Sequence, residues 1–456
     1  MIRVISSAGD GRLQESTTGL FASIGVAAVR GYRYGGPGKV QKLPILQVDP
    51  RQKFQEILGF GAAFTDASCY LFSQLEPEAR EAVLKDLFSP SGMSLNIGRT
   101  TVAQCDFGRV AYSYDDVPGD VEMKHFSIDY DREYIIPTIK RACQINPEMF
   151  LLASPWSPPG WMKTSGVMTG GWMLDRYLAP YAAYYVRYLQ EYAKAGIKIN
   201  ALTVQNEAET DQLGLMPACY WHPEQELVFI RDHLSPVLKK NGLGDVEVWL
   251  MDHNYIMWRR VRWMLEEDQA FRSVVKGVAF HPYEGQPTVM SDLKALHPEM
   301  DMHLTEWGGG YDEKIEGLCA RGVTIIDIMR NWCRTMFCWN IILDETGKPH
   351  IGPFFTPGEQ NGGGLLQYRT STKEVRYSSC CHALGHFSKF VKRGARRIAS
   401  ECDMPGIHNV AFLNADGRYV VVIVNTGEAT EMSLVVEDRA AQVPLSATSM
   451  TTLIFQ

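Results

Sequence analysis

The chain carries 456 residues, 45% of them hydrophobic and 21% charged, which is enough apolar mass for a large core and argues against disorder. Its formal net charge of −7 lacks the basic footprint of a nucleic-acid binder, so no nucleic-acid partner is expected. Ten cysteines, close together only at Cys333/Cys338 and Cys380-Cys381 and without histidines at zinc-like spacing, read as buried thiols rather than a disulfide scaffold or a metal site.

The first residues, Met1-Ile-Arg-Val-Ile-Ser-Ser, lack the apolar core of a signal peptide, and no later run approaches ~18 apolar residues. No integral membrane segment is expected. The expected location is the cytoplasm, or a secreted or periplasmic one if a signal has been removed. Residues 1–48 hold short strand-like runs such as 20–29, broken by Gly35-Gly36-Pro37-Gly38, and are too few to close a core alone.

From 49 to 393 strand and helix patterns alternate, the mark of a parallel α/β sheet. Candidate strands span 59–64, 95–102, 149–156, 201–205, 246–253, 277–281, 302–306 and 336–342, the number a (β/α)8 TIM barrel requires. Before the fourth, Tyr181, Tyr184, Tyr185, Tyr188, Leu189 and Tyr192 fall on one helical stripe that Gly196 brings to a stop. Residues 378–394 read as the last barrel helix. Beyond 394 strand signals dominate. Asn409-Val-Ala-Phe-Leu413, the turn Asn414-Ala-Asp-Gly417 and Tyr419-Val-Val-Val-Ile-Val424 form a hairpin, followed by strands at 433–436 and 450–455. The economical fold is α/β, a TIM barrel over 49–393 with a side β-sandwich formed by both chain ends, 1–48 and 394–456.

In such a barrel the carboxyl ends of the strands share one mouth. The stretch Ala201-Leu-Thr-Val-Gln-Asn-Glu207 turns polar as its strand ends, and Met300-Asp-Met-His-Leu-Thr-Glu306 does the same. Two carboxyls facing each other about 5 Å apart would suit retaining glycoside hydrolysis, one as acid and one as nucleophile. As proton donor, Glu207 needs surroundings that keep it partly neutral, and Glu306 as nucleophile needs a cation or hydrogen-bond donors. Arg99 is either that cation or half of a structural ion pair elsewhere in the barrel. Trp156 and Trp161, on a loop stiffened by three prolines, either stack on a sugar or anchor the loop. Asp66 and Asp106, just past the first and second strands, either accept from sugar hydroxyls or cap turns.

Several of these residues fall in a recognisable succession. Gly59-Phe-Gly-Ala-Ala-Phe-Thr-Asp-Ala67, Cys105-Asp-Phe107, Leu151-Leu-Ala-Ser-Pro-Trp156, Asn206-Glu207, His281-Pro-Tyr283, Glu306, Trp339-Asn340 and Leu384-Gly-His-Phe-Ser-Lys-Phe390 run in order. Over the chain from about residue 45 to the carboxyl terminus, this resembles glycoside hydrolase family 30, and within it the glucosylceramidase-like branch. The resemblance implies retention through a covalent glycosyl-enzyme on a carbohydrate or glycoconjugate substrate, with no metal or organic cofactor. It implies Glu207 as acid/base and Glu306 as nucleophile, with Asn206, Asp106, Trp156 and Trp339 holding the sugar and Tyr283 and Arg99 orienting the nucleophile. Three stretches depart from the family pattern: Ala208-Glu209 where a proline is common, Trp307-Gly-Gly-Gly310 after the nucleophile, and a longer loop through Gly358-Glu-Gln-Asn-Gly-Gly-Gly364. These bear on substrate choice more than on reaction type. The expected activity is a retaining β-glycosidase on β-D-glucosides. The same resemblance also allows a β-1,6-glucanase, β-xylosidase, β-fucosidase or β-glucuronidase. From another class, a catalytically silent carbohydrate-binding protein would share the fold. Nothing in the sequence speaks to oligomeric state.

Overall fold

A strand buried on both faces is rich in apolar residues, and the barrel strands are buried along nearly their whole length, with the polar exceptions Arg99, Asp252 and His281 among them. Gly59–Phe64, Ile97–Thr101, Phe150–Ser154, Ala201–Thr203, Glu247–Asn254, Gly277–His281, Asp301–Leu304 and Cys333–Cys338 close into one barrel in chain order. All eight expected strands are present, some with ends shifted by a few residues. Neighbours run parallel, with Gly61 opposite Ile97 and Phe280 opposite Leu304. This computed structural model describes residues 2–9, 13–18, 22–23, 32–34, 40–42, 44–210, 212–308, 310–351 and 364–456. The run 20–29 apart from Ala22–Ser23, the turn Gly35-Gly36-Pro37-Gly38 and the loop at 358–363 lie outside the described residues.

Two local features set up the mouth of the barrel. The first is the helix Leu178–Lys194, which buries the whole predicted stripe. Its Tyr185 hydroxyl donates to the Val204 carbonyl at 2.7 Å, pinning the segment between the fourth strand and Asn206-Glu207. The helix stops where Gly196 takes φ +84°, a left-handed cap that a side chain would disfavour. The second is a register shift on the fifth strand between Met251 and His253, with Met251 and Asp252 both at positive φ. A bulge of this kind re-aims one side chain, and here Asp252 becomes fully buried beneath the barrel mouth.

By its contacts the chain divides into two compact units, Met1–Phe60 with Asp312–Arg334 and Tyr377–Gln456, and Gly61–Tyr311 with Thr335–Arg376. In the first unit both chain ends enter a 10-stranded sheet. Ile2–Ser7 pairs antiparallel with Ser449–Phe455, while Ile45–Glu56 lies between Arg396–Cys402 and Thr430–Val436. Ile2 and Val4, near one edge, share a hydrophobic core with Leu434 and Val443, near the other. The strip therefore folds over itself as a β-sandwich. The predicted hairpin forms between Ile407–Leu413 and Tyr419–Asn425, with Gly417 at φ +82° in its turn. The helix Ser379–Ser388 belongs to this unit, where its His386 sits between the hydroxyls of Thr452 and Ser7. All ten cysteines are free thiols and most are buried. Among the described residues no helix is long and apolar enough to cross a membrane.

Candidate active site

Arg99, fully buried on the second strand, is the cation around which the mouth is assembled. Its Nη1 donates to Glu306 Oε2 at 2.5 Å, and its Nη2 to Asn206 Oδ1 and Asp252 Oδ2, each at 2.8 Å. Its Nε donates to Ser154 Oγ at 3.2 Å. The guanidinium lies 4.8 Å from the Trp156 ring centre and 5.3 Å from that of Trp339, and these two indoles stack at 4.9 Å. A buried guanidinium is tolerated only where charges and donors are matched. Burial works against its charge, but Asp252 and Glu306 outweigh that and hold it above its ordinary value. Both sequence readings of Arg99 therefore apply, since it grips Glu306 and is ion-paired with Asp252.

Glu306 is held on its second oxygen too. Tyr283 Oη donates to Oε1 at 2.9 Å and itself accepts from the Gly308 N–H at 2.9 Å. Facing it, Glu207 adopts φ +55°, a strained conformation for a non-glycine residue and one that recurs at functional sites. Its backbone N–H donates to the Asp252 carbonyl at 3.0 Å, so the bulge on the fifth strand helps to hold that turn. Glu207 Oε2 accepts from the Gln212 carboxamide, and Oε1 lies 3.1 Å from His281 Nδ1. The other ring nitrogen of His281 is 3.1 Å from Asp252 Oδ1.

An oxygen of Glu207, an oxygen of Glu306 and a nitrogen of His281 lie within 4.8 Å of one another. So close an approach fits two carboxyls serving one anomeric carbon with retention, which stand roughly 5–5.5 Å apart, better than the ~6.5–9.5 Å that leaves room for an inverting water. The same three groups have a spacing that would also suit a metal ion.

Charge in the site is arranged around His281. Burial works against its protonation, but the Glu306 charge and the bonds to Asp252 and Glu207 push it up to about 9. Burial likewise pushes Glu207 up, and here the hydrogen bond and charge of His281, with a smaller share from His253, prevail and hold it below the usual range. The sequence suggested a carboxyl kept neutral by its surroundings. The structure instead gives a carboxylate facing an imidazolium, because a partner that no local motif reveals sits on its oxygen. Asp252, with Arg99, His281 and the Thr203 hydroxyl as donors, stays well below the ordinary range despite burial.

The remaining candidates divide. Asp106 is pushed up to about 8 by burial and by the charges of Glu306 and Glu207, and its Oδ1 is buried without a hydrogen-bond partner among the described residues. Trp156 and Trp339 join Phe107 and Met216 in one apolar cluster beside it. Trp161 is an anchor, its indole N–H donating to the Asp115 carbonyl at 2.9 Å and its ring packing edge-on against Tyr177. Asp66 opens a helix and binds Arg109 through both carboxylate oxygens, so it does not face the mouth as a sugar acceptor. Sequence reasoning passed over Asp252 and His281 as site members. The available signal was a charged residue inside an otherwise apolar strand end, Leu250-Met-Asp-His253, and the histidine of His281-Pro-Tyr283.

Residues 57–391 match the glycosyl hydrolase family 30 TIM-barrel domain, and residues 394–453 match the glycosyl hydrolase family 30 beta sandwich domain. The chain is similar to a putative glucosylceramidase 1 of Caenorhabditis elegans, with 31% identity over 418 residues covering 87% of this chain and 79% of that protein. It is also similar to an endo-1,6-beta-D-glucanase of Neurospora crassa, with 28% identity over 452 residues covering 96% of this chain and 91% of the other. Among solved structures, SrfJ from Salmonella typhimurium superposes over 100% of both chains with a TM-score of 0.89 and 25% identity.

Proposed function

This chain belongs to glycoside hydrolase family 30, and on that premise we propose a retaining β-glycosidase of β-D-glucosides, with Glu207 as acid/base and Glu306 as nucleophile. The observation that carries the reading is the approach of the two carboxyls to within 4.8 Å, on two different strand ends. In the first step Glu306 attacks the anomeric carbon while the glycosidic oxygen takes a proton from Glu207. In the second, Glu207 takes a proton from water as the water oxygen bonds to the anomeric carbon and the bond to Glu306 breaks, freeing that carboxylate.

The proton for the first step is supplied locally. His281 Nδ1 lies 3.1 Å from Glu207 Oε1, so one short transfer turns the imidazolium–carboxylate pair into a neutral pair. Substrate that displaces water from the mouth favours the neutral pair, because desolvation disfavours charge. Arg99 and Tyr283 keep the Glu306 oxygens fixed on their donors, and the stacked Trp156 and Trp339 offer an apolar wall beside them. The buried Asp106 oxygen without a donor fits a sugar hydroxyl.

The test is a pair of variants. Glu306→Ala should lose turnover on every substrate while keeping the fold. Glu207→Ala should lose it on poor leaving groups and retain the first step on activated aryl glucosides, which need no proton. Wild-type-like hydrolysis by Glu306→Ala would refute the assignment. A second reading, an endo-acting β-1,6-glucanase, is supported by the near-complete mutual coverage with the Neurospora crassa enzyme. Digestion of a β-1,6-glucan to oligosaccharides, with aryl glucosides left intact, would favour it.

A further inference from the structure

Beside the carboxyl pair, the loops after the third and fourth strands are tied into one face. Backbone bridges pair Thr169 with Pro217 and Trp172 with Tyr220. The buried Lys163 ammonium rivets the same two loops. It donates to the Met168 and Ala218 carbonyls at 2.5 and 2.6 Å and to Ser157 Oγ at 2.8 Å, which uses all three of its hydrogens. The Trp172 N–H donates to Thr164 Oγ1 at 2.9 Å. On this frame the Trp172 indole stacks with the Tyr220 ring at 4.6 Å and with the His222 ring at 4.3 Å, both in nearly parallel planes. The stack is nonetheless open to solvent, with Trp172 39% exposed and His222 exposed. Neither the Tyr220 hydroxyl nor the His222 ring has a hydrogen-bond partner among the described residues. None of the three rings takes part in the scheme above.

We propose that the stack of Trp172, Tyr220 and His222 is a subsite for a glucosyl unit of the leaving group, which suits the enzyme to β-linked gluco-oligosaccharides. This deepens the reading of the site as a retaining β-glucosidase and rests on it for the direction of the substrate. Glu207 gives its proton to the glycosidic oxygen, so the leaving group lies on the Glu207 side of the site. The stack adjoins that side. Trp221, between Tyr220 and His222, donates its N–H to the Ala208 carbonyl at 3.0 Å, and Gln212 of the same loop donates to Glu207 itself. The chemistry of the surface selects a sugar. Flat aromatic rings match the C–H face of a pyranose, and an open phenol and imidazole can exchange hydrogen bonds with its hydroxyls. Val167, Leu213 and Leu215 on the same loops are exposed too. An alkyl chain could lie on them, but it would leave both polar groups of the stack unused. Because the loops are tied before a ligand arrives, binding there incurs little cost in ordering the protein.

The test is calorimetric titration of Glu306→Ala, which should not turn its ligand over. The ligands are glucose, the β-1,3-, β-1,4- and β-1,6-linked glucotetraoses, and octyl β-D-glucoside, and the series is repeated with Trp172→Ala or Trp172→Phe added. At least one tetraose should bind more tightly than glucose. Trp172→Ala should weaken that tetraose about tenfold, the scale of one aromatic contact, and glucose by less than about twofold. Trp172→Phe, which keeps a smaller flat ring, should retain part of the gain. No tetraose tighter than glucose, an unchanged tetraose affinity in Trp172→Ala, or equal losses for glucose and tetraose overturns the subsite. A loss confined to octyl glucoside overturns it as well and gives the stack to an alkyl chain. Binding needs no turnover, so these outcomes stand apart from the catalytic reading, whose own failure would appear as hydrolysis of the tetraose by Glu306→Ala.

Discussion

Two carboxylates in this molecule are equally inaccessible, Asp252 under the barrel mouth and Asp131 beside the helix Leu178–Lys194, and the chain treats them in opposite ways. Asp252 takes a guanidinium, an imidazole and the hydroxyls of Thr203 and Thr305, the latter two at 2.6 Å. Asp131 takes three phenols, those of Tyr112, Tyr114 and Tyr192, and no cation among the described residues. Burial dominates at both. At Asp252 the charge of Arg99 and the bond to His281 overcome it, whereas at Asp131 the phenols do not, and that carboxyl is pushed up to about 6. The lesson is that neutral donors satisfy geometry while only cations hold charge in a dry place. The carboxyl held by phenols is pushed towards its neutral form, and the one held by cations towards its anion.

Removing the cation should have the largest effect on that contrast. Arg99→Met leaves the two carboxylates Asp252 and Glu306 to share His281, which cannot balance both, and breaking a buried pair in this way costs about 3–5 kcal/mol. Denaturant melts should show a loss of that size together with loss of turnover. If Arg99→Met instead matches the wild type in stability, the hub is not electrostatic in origin.

Asp252→Asn is milder, because Arg99 keeps Glu306 and Asn206. We expect kcat to fall on the order of 10²-fold as His281 loses a partner, the scale of removing one preorganised electrostatic contact. The pH dependence of stability should also change. The folded pKa of Asp252 lies below its unfolded value, so its contribution is present above about pH 4 and disappears as acid is added. Wild type should therefore lose stability below about pH 4 faster than Asp252→Asn does.

Asp131→Asn should act with the opposite sign and the smallest effect. Its folded pKa is above the unfolded one, so its contribution is complete below about pH 4 and lost as pH rises through about 6. The variant should flatten that decline, cost about 1–2 kcal/mol at pH 4 through one mismatched phenol contact, and leave kcat and its pH profile alone. A change in the kcat profile would show that the two regions are not independent.

Much of the frame was legible in the sequence because it rests on local period. Eight apolar runs separated by helical patterns specify a barrel, the tyrosine stripe specifies a helix, and Asn414-Ala-Asp-Gly417 specifies a turn. Glu207 and Glu306 were legible for the same reason, as carboxyls placed where a strand ends. Asp252 was not. It becomes a hub through a register shift that depends on the pairing of the fifth and sixth strands, and no spacing within either strand encodes that. His281 was quoted in a motif and yet its role is tertiary, set by Glu207 and Asp252 from two other strands. The direction of the Glu207 shift was misjudged for that reason, since burial can be guessed from a strand end but an imidazolium from another strand cannot. Trp161 and Asp66 show the converse. Residue type suggested sugar contact, and contacts with Asp115 and Arg109 in the loop after the second strand claimed them for structure.

The central claim is that Glu207 and Glu306 serve one anomeric centre from opposite sides of a single bond-breaking event. Its most direct test is the anomeric configuration of the first-formed sugar, followed by proton NMR during rapid hydrolysis of an aryl β-D-glucoside before mutarotation intervenes. The account predicts that the β-anomer appears first and the α-anomer only later. Initial release of the α-anomer would contradict it.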